Sequence, residues 1–317
     1  EGQQEILAEV EEIKAMLISN KDNAVVYIKS LLPHIKSMVN QLKVKSALDI
    51  LSLLAEELKN NHPQEKMLLA TVLHYMGVCE RYIAGVSSKQ HHKDAYALLN
   101  GMYDEDVYSG YVFTLIADKN IDEAKVVSDE IRSKNEYNIW GWIVDLIKSD
   151  DLSESYSKMP TLLQQNGTTL GWMLFLGIER DNLGQIVENL QLDTPSHVDS
   201  DNYVVWMLLL TKELNNLLPS WNFSLTQINT NPGLSQVFKN FKELSAAFIE
   251  SLKSTEASNL IPDVEFLHDY CSFAVRNDAN FLNDMEQHQP SENFKELYAL
   301  MKVTMMVTLH LEDDGIK

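Results

Sequence analysis

The chain has 317 residues, 45% of them hydrophobic and 23% charged, and a formal net charge of −20. That much apolar material supports a sizeable core and argues against global disorder, while 12 Gly and 8 Pro are too few for a turn-rich β protein. Only four of the 26 basic residues are arginine (Arg81, Arg132, Arg180 and Arg276), and no phosphate-neutralising cluster exists, which argues against direct binding to nucleic acid or to an anionic membrane.

The first predicted element, QQEILAEVEEIKAMLIS, places Ile6, Val10, Ile13 and Leu17 at steps of four, three and four. That is the seam spacing of a coiled coil, and it offers a homodimer interface. The plainer expectation is a first helix lying on the pair that follows. The second helix is predicted over residues 23–42, with Ile28, Leu31, Leu32, Ile35, Val39 and Leu42 in one stripe and Pro33 inside it, where a kink or a restart is expected. The third, over 44–59, carries Ala47, Ile50, Leu51, Leu54 and Leu58 on one face. Pro63 is expected at the first position of the fourth helix, and Gly77 within that helix allows a neighbour to approach closely. A polar loop or helix start, GVSSKQHHKD, and a further short helix, AYALLNGMYDED, follow.

Asn120-Ile121, Asp151-Leu152 and Asn182-Leu183 lie 31 residues apart. Each opens an amphipathic segment, and each is preceded by a more apolar one: VYSGYVFTLIADK, YNIWGWIVDLIKSD and TLGWMLFLGIERD. A fourth apolar segment is NYVVWMLLLTKELNN. Repeated pairs of this kind are the signature of a helical-hairpin solenoid, because one pair cannot bury its apolar face alone. The predicted fold class is therefore all-α, without a sheet. The chain divides into a connecting helix (1–20), helical hairpins (21–118), repeats of about 31 residues (119–217) and a C-terminal cap region (218–317). In that last region LSQVFKNFKELSAAFIESLKS, IPDVEFLHDYCSFAVRND and a Met-rich segment over 292–311 are predicted helices, with Pro262 at a first helical position.

The stretch DKNIDEAKVVSDEI resembles the turn and second helix of the tetratricopeptide repeat family, with Ala124 at the small-residue position. Ser155 and Ile186 stand there in the other copies, and the Leu-Gly and Tyr positions of the family's first helix are not reproduced. The resemblance covers about a third of the chain. It implies a concave face that binds peptides or proteins.

Catalytic and cofactor motifs are not found. Gly85-Val-Ser-Ser-Lys89 lacks the second glycine of a phosphate loop, and no GxGxxG, GxSxG, CxxC or HExxH occurs. The Arg-to-His spacing of HEPN-type helical ribonucleases is not met, Arg81 being too far from His91. His268 and Cys271 are three apart, with Asp263 and Asp269 close, but would ligate zinc only with two more ligands from elsewhere, and a packed thiol beside a surface histidine is the expected reading. No metal and no cofactor is expected. The remaining enzyme reading is an all-helical site around His91, His92 and Asp94. Trp140, Trp142, Trp172, Trp206 and Trp221 are expected mostly in the core, with a partner groove formed by Tyr108, Tyr111, Trp140 and Trp172 as the functional alternative.

Cys79 and Cys271 are far apart among apolar neighbours, which reads as two buried thiols in a reducing, cytoplasmic setting. No run of eighteen apolar residues occurs, so no transmembrane helix is expected. The chain starts Glu-Gly-Gln-Gln-Glu, without Met or a basic leader, as a piece of a longer protein with a domain upstream would. The leading functional expectation is an interaction, sensor or scaffold module that holds a protein or peptide partner. An acidic decoy that mimics nucleic acid and captures a basic protein is the other alternative.

Overall fold

A computed structural model describes residues 2–83, 85–180, 192–217, 231–257 and 261–276. All regular structure among them is helical: fourteen α-helices and two short 3₁₀ turns, with no strand among the described residues. None of these helices is long and apolar enough to cross a membrane. The chain divides into two compact units, 1–173 with 199–201, and 174–198 with 202–317.

The first unit carries α1 (Gly2–Ser19), α2 (Ala24–Asn40), α3 (Val44–Asn61), α4 (Lys66–Glu80), α5 (Lys89–Leu99), α6 (Glu105–Ala117) and α7 (Ile121–Lys134). Three shorter helices follow: α8 (Ile143–Lys148), α9 (Leu152–Lys158) and α10 (Thr161–Gln164). Each of α2 to α7 packs on its neighbour in sequence, and α1 meets α3, α2 meets α4 and α4 meets α6. The stripes that the sequence predicts are buried, except that Leu31 and Leu32 of the α2 stripe are only half-buried. Ile28, Ile35, Ile50, Leu51, Leu54 and Leu58 are fully buried, which removes each from water for about 1.5–3 kcal/mol. Helix α4 is buried nearly all round, as is α6, where Val107, Tyr108, Gly110, Val112, Leu115 and Ile116 point in every direction. A helix with no polar face belongs between others. Helix α7 is the amphipathic partner, burying Ala124, Val127, Ser128 and Ile131 on one side only.

Four boundaries differ from the sequence expectation, each for a local reason. Pro33 sits inside a continuous α2 and does not restart it. Pro33 and Lys29 are both exposed, so the carbonyl that proline leaves without an N–H faces water. Pro63 is in a turn closed by Glu65 N–H donating to the His62 carbonyl at 3.0 Å, and α4 begins only at Lys66. In 85–106 a helix does start within the first segment, at Lys89, but it runs on into the second as one helix, α5, and stops at Leu99, ended by Asn100 in the left-handed conformation with Gly101 after it. The apolar segment at 137–150 is not one helix. Asn138 accepts from Trp140 N–H at 2.9 Å and starts a 3₁₀ turn (Ile139–Gly141) before the six-residue α8. Gly141 lies so close to α7 that a Cβ there would stand 2.9 Å from the Arg132 Cβ, so this turn takes the place of the first helical turn.

The Lys119-Asn120 link has a definite geometry. Asn120 N–H donates to the Leu115 carbonyl at 2.8 Å and Lys119 N–H to Ile116 at 3.0 Å, with Lys119 at φ 60°. That is a Schellman turn, and α7 starts immediately after it. The same turn joins α2 to α3: Lys43 N–H donates to Met38, Leu42 N–H to Val39, and Leu42 is at φ 59°. The copy at Asp151 differs. Ser149 is extended there, and Asp151 caps α9 by accepting from Glu154 N–H at 3.1 Å. The third copy, at Asn182, lies outside the described residues. Lys119 is exposed and carries the steric cost of a left-handed L-residue. Lys119→Gly will therefore stabilise the chain by about 1 kcal/mol, read as a higher urea midpoint at an unchanged slope. A lower midpoint would rule this out.

In the second unit, α12 (Tyr203–Leu217), α13 (Pro232–Leu252) and α14 (Ile261–Arg276) pack in sequence order. Asn231 caps α13 by accepting from Gly233 and Leu234 N–H, with Pro232 at the first position. Phe238, Phe241, Phe248 and Phe266 are fully buried, and Trp206 stacks on Phe248 with centroids 5.4 Å apart and planes 4° from parallel. Pro262 is the second residue of α14, one past the first helical position expected of it and still within the first turn. Trp221 and the predicted helix over 292–311 lie outside the described residues. Helix α11 (Gly167–Glu179) completes the set.

Candidate functional site

Two features of the first unit bring together residues that carry chemistry. The first is a buried polar cluster between α4, α5 and α6. His92 of α5 is wholly buried, and His74 of α4 is 6% exposed. The rings lie 5.2 Å apart. Two glycines make room for them. A Cβ at Gly77 would stand 2.7–2.9 Å from three atoms of the His92 ring. A Cβ at Gly110 would stand 2.6 Å from His74 Nδ1 and nearer still to His92 Nδ1.

Arg81, just past the end of α4, donates from Nη2 to His92 Nε2 at 2.9 Å, with its guanidinium 3.9 Å from the Phe113 ring centroid. A guanidinium only donates, so His92 Nε2 is an acceptor and a neutral His92 carries its proton on Nδ1. Neither His92 Nδ1 nor His74 Nδ1 meets a hydrogen-bond partner. Burial, with the charge of Arg81 second, pushes both imidazoles down, His74 to about 3 and His92 further. Both are neutral at physiological pH. With a proton on Nδ1, His92 is not a metal ligand through that atom. No group of three or more His, Cys, Asp or Glu that could hold a metal is found among the described residues.

His91, His92 and Asp94 do not converge. Adjacent positions on α5 point apart: His92 faces inward, His91 Nδ1 pairs with the buried Glu80 carboxylate, and Asp94 accepts from Gln90 on the exposed side at 2.7 Å. The sequence had no means of finding the Arg81–His92 contact, which crosses between helices at a separation of eleven residues.

The second feature is an array of tyrosines on α5, α6 and the loop before α6. Tyr96 stacks on Tyr111 with centroids 3.8 Å apart and planes 9° from parallel. Tyr108 meets Tyr96 at 5.1 Å and Tyr103 at 4.8 Å. Such offset or edge-on pairs contribute about 0.5–1.5 kcal/mol beyond their buried area. Tyr108 is 3% exposed and forms the base, while Tyr96, Tyr103 and Tyr111 are half-buried. One face of α7 borders them. Tyr111 donates to Glu123 at 2.9 Å, and the Lys134 ammonium sits 5.4 Å from the Tyr103 centroid. Burial, then the charges of Glu105 and Glu130 at Tyr103 and the hydrogen bond to Glu123 at Tyr111, push these two phenols up to about 12.

Of the four residues assigned to a groove, Tyr108 and Tyr111 thus share this array. Trp140 lies beyond it, edge-on to Phe113 at 5.9 Å, and Trp172 is half-buried on α11. Tyr96 and Tyr103 are members that the sequence reading missed. Of the N-terminal seam, Ile13 and Leu17 are buried in a helix that packs on α2 and α3, as the plainer expectation has it, whereas Ile6 and Val10 are half-buried. Cys79 is a fully buried thiol. In the second unit, His268 Nδ1 meets Ser245 Oγ at 2.8 Å beside a cleft lined by Glu250, Glu265 and Asp269; the Cys271 side chain lies outside the described residues. Comparison of the chain with protein families, with curated proteins and with solved structures finds no match to any of them.

Proposed function

We propose that this chain is an interaction module of the cytoplasm, a tetratricopeptide-like stack of helical hairpins that holds a protein or peptide partner on the tyrosine face of α5–α7. The observation that carries this reading is the half-exposed stacked pair Tyr96–Tyr111 with Tyr103 beside it. Tyrosine offers a large contact area at low entropic cost and a polar tip, and it is enriched at binding hot spots. The supporting arrangement is the hairpin packing, in which α4 meets both α2 and α6 and so passes its neighbours' faces along a row.

A random-peptide phage library selected on the immobilised chain tests the reading. Peptides are expected to enrich on the wild type and to bind a Tyr96→Leu, Tyr111→Leu variant at least tenfold more weakly, a loss of about 1.4 kcal/mol. Failure to enrich, or equal binding to a variant whose circular dichroism is unchanged, would reject it.

A further inference from the structure

We infer that the tyrosine face receives a lysine or arginine side chain of the partner, an inference that rests on the reading above and names the chemistry of its ligand. The geometry starts on α7. Glu123, Val127, Glu130 and Lys134 follow at steps of four, three and four, so they share one helix face. Both ends of that face are fixed to the array. Glu123 accepts from the Tyr111 hydroxyl at 2.9 Å, and Lys134 lies over the Tyr103 ring. Val127, between them, is buried.

Glu130 is therefore held beside the tyrosines, between the two anchored ends. Its carboxylate is exposed, and its charge acts on Tyr96, Tyr103 and Tyr108 alike. An uncovered carboxylate beside aromatic faces is a receptor for an ammonium or guanidinium, which takes an ion pair from the one and the ring quadrupole from the other. The chain supplies its own instance at the far end, where the Lys134 ammonium already rests on Tyr103. The stacked Tyr96–Tyr111 pair is the place left for a second cation. Complementarity of charge acts in the same sense over a longer range, since the chain carries −20. Neutral apolar peptides would gain the rings but leave Glu130 desolvated against nothing, a cost that selects against them.

The peptides enriched by the selection above are resynthesised in two forms, one with Lys and Arg as found and one with norleucine and citrulline in their place. Binding is measured by fluorescence anisotropy against the whole chain in physiological salt. The cationic form is expected to bind at least about tenfold more tightly than the neutral one. Glu130→Gln should remove most of that difference, whereas Glu56→Gln, an exposed carboxylate on α3, should leave it intact. Enriched peptides that lack a cation but still need Tyr96 and Tyr111 would overturn the cation inference and leave the proposed function standing. A cation preference unaffected by Glu130→Gln, or weakened as much by Glu56→Gln, would assign it to bulk acidity and overturn the site. Failure to enrich any peptide would overturn both.

Discussion

Lowering the pH from 6.5 to 5 will cost the first unit on the order of 3 kcal/mol of folding stability, through His74 and His92. The sign follows from where the protons go. In the folded chain burial, with Arg81 adding to it, holds both rings far below the ordinary histidine value, His74 at about 3. In the unfolded chain both titrate near 6.5. Above that pH neither state takes up a proton, and the stability is complete. Below it only the unfolded state does, so stability falls by about 1.4 kcal/mol per pH unit for each imidazole. For His74 the loss continues until the pH approaches 3. Lys36, the third influence on His74, and the charges of His74 and His91 acting on His92 work in the same direction. Asp201 offsets part of the loss, because burial and Asp199 push its carboxyl up and the folded chain gains a proton there. Urea unfolding followed by tryptophan fluorescence from pH 7.5 down to pH 5 measures the slope. His74→Gln should cut it by about half. A slope that is the same in that variant would show that these rings do not set it.

Gly110→Ala is expected to destabilise the chain by about 2 kcal/mol: roughly 3 for overpacking less roughly 1 for the better helix former. The new Cβ would stand 2.6 Å from His74 Nδ1 and closer to His92 Nδ1. His92 has no room to retreat, since Gly77 closes on the other side of its ring and Arg81 holds its Nε2. The test is a double-mutant cycle. His92→Ala alone is costly because it opens a cavity and leaves Arg81 without that acceptor. With His92 already removed, adding Gly110→Ala should cost far less than it does in the wild type, a coupling of 1 kcal/mol or more in rough terms. Strictly additive losses would mean that the glycine is needed for another reason.

Much of the fold was legible because helical stripes depend only on local spacing. Ala47, Ile50, Leu51, Leu54 and Leu58 read as one face and are buried as one face. Gly77 read as a point of close approach, and the His92 ring lies there. What was not legible depends on partners far along the chain or on backbone angles. Leu42 looked like the last residue of a stripe. It is fully buried, yet it is the left-handed residue of a turn, a conformation that a leucine does not advertise. The break at Asn138 comes from a side chain capping its own backbone, which competes with the helical pattern around it. For the candidate site, Tyr108 and Tyr111 are three apart on α6 and could be paired from sequence. Their contacts with Tyr96 on α5 and with Glu123 on α7 exist only once three helices are packed.

The twin turns at Leu42 and Lys119 bear on how such a chain acquires its structure. Each joins two long helices with no intervening loop and closes through hydrogen bonds spanning a few residues. Little loop entropy has to be lost before the two helices of a hairpin meet. The chain therefore holds two local starting points, one in each hairpin, that can form on the microsecond scale of helix formation without waiting for distant contacts. Helices α4 and α5 lie between them in sequence and bury the polar cluster. Their ordering is the step that joins the two hairpins. The His92 ring needs a glycine from each side, so its place exists only once α4, α5 and α6 are together.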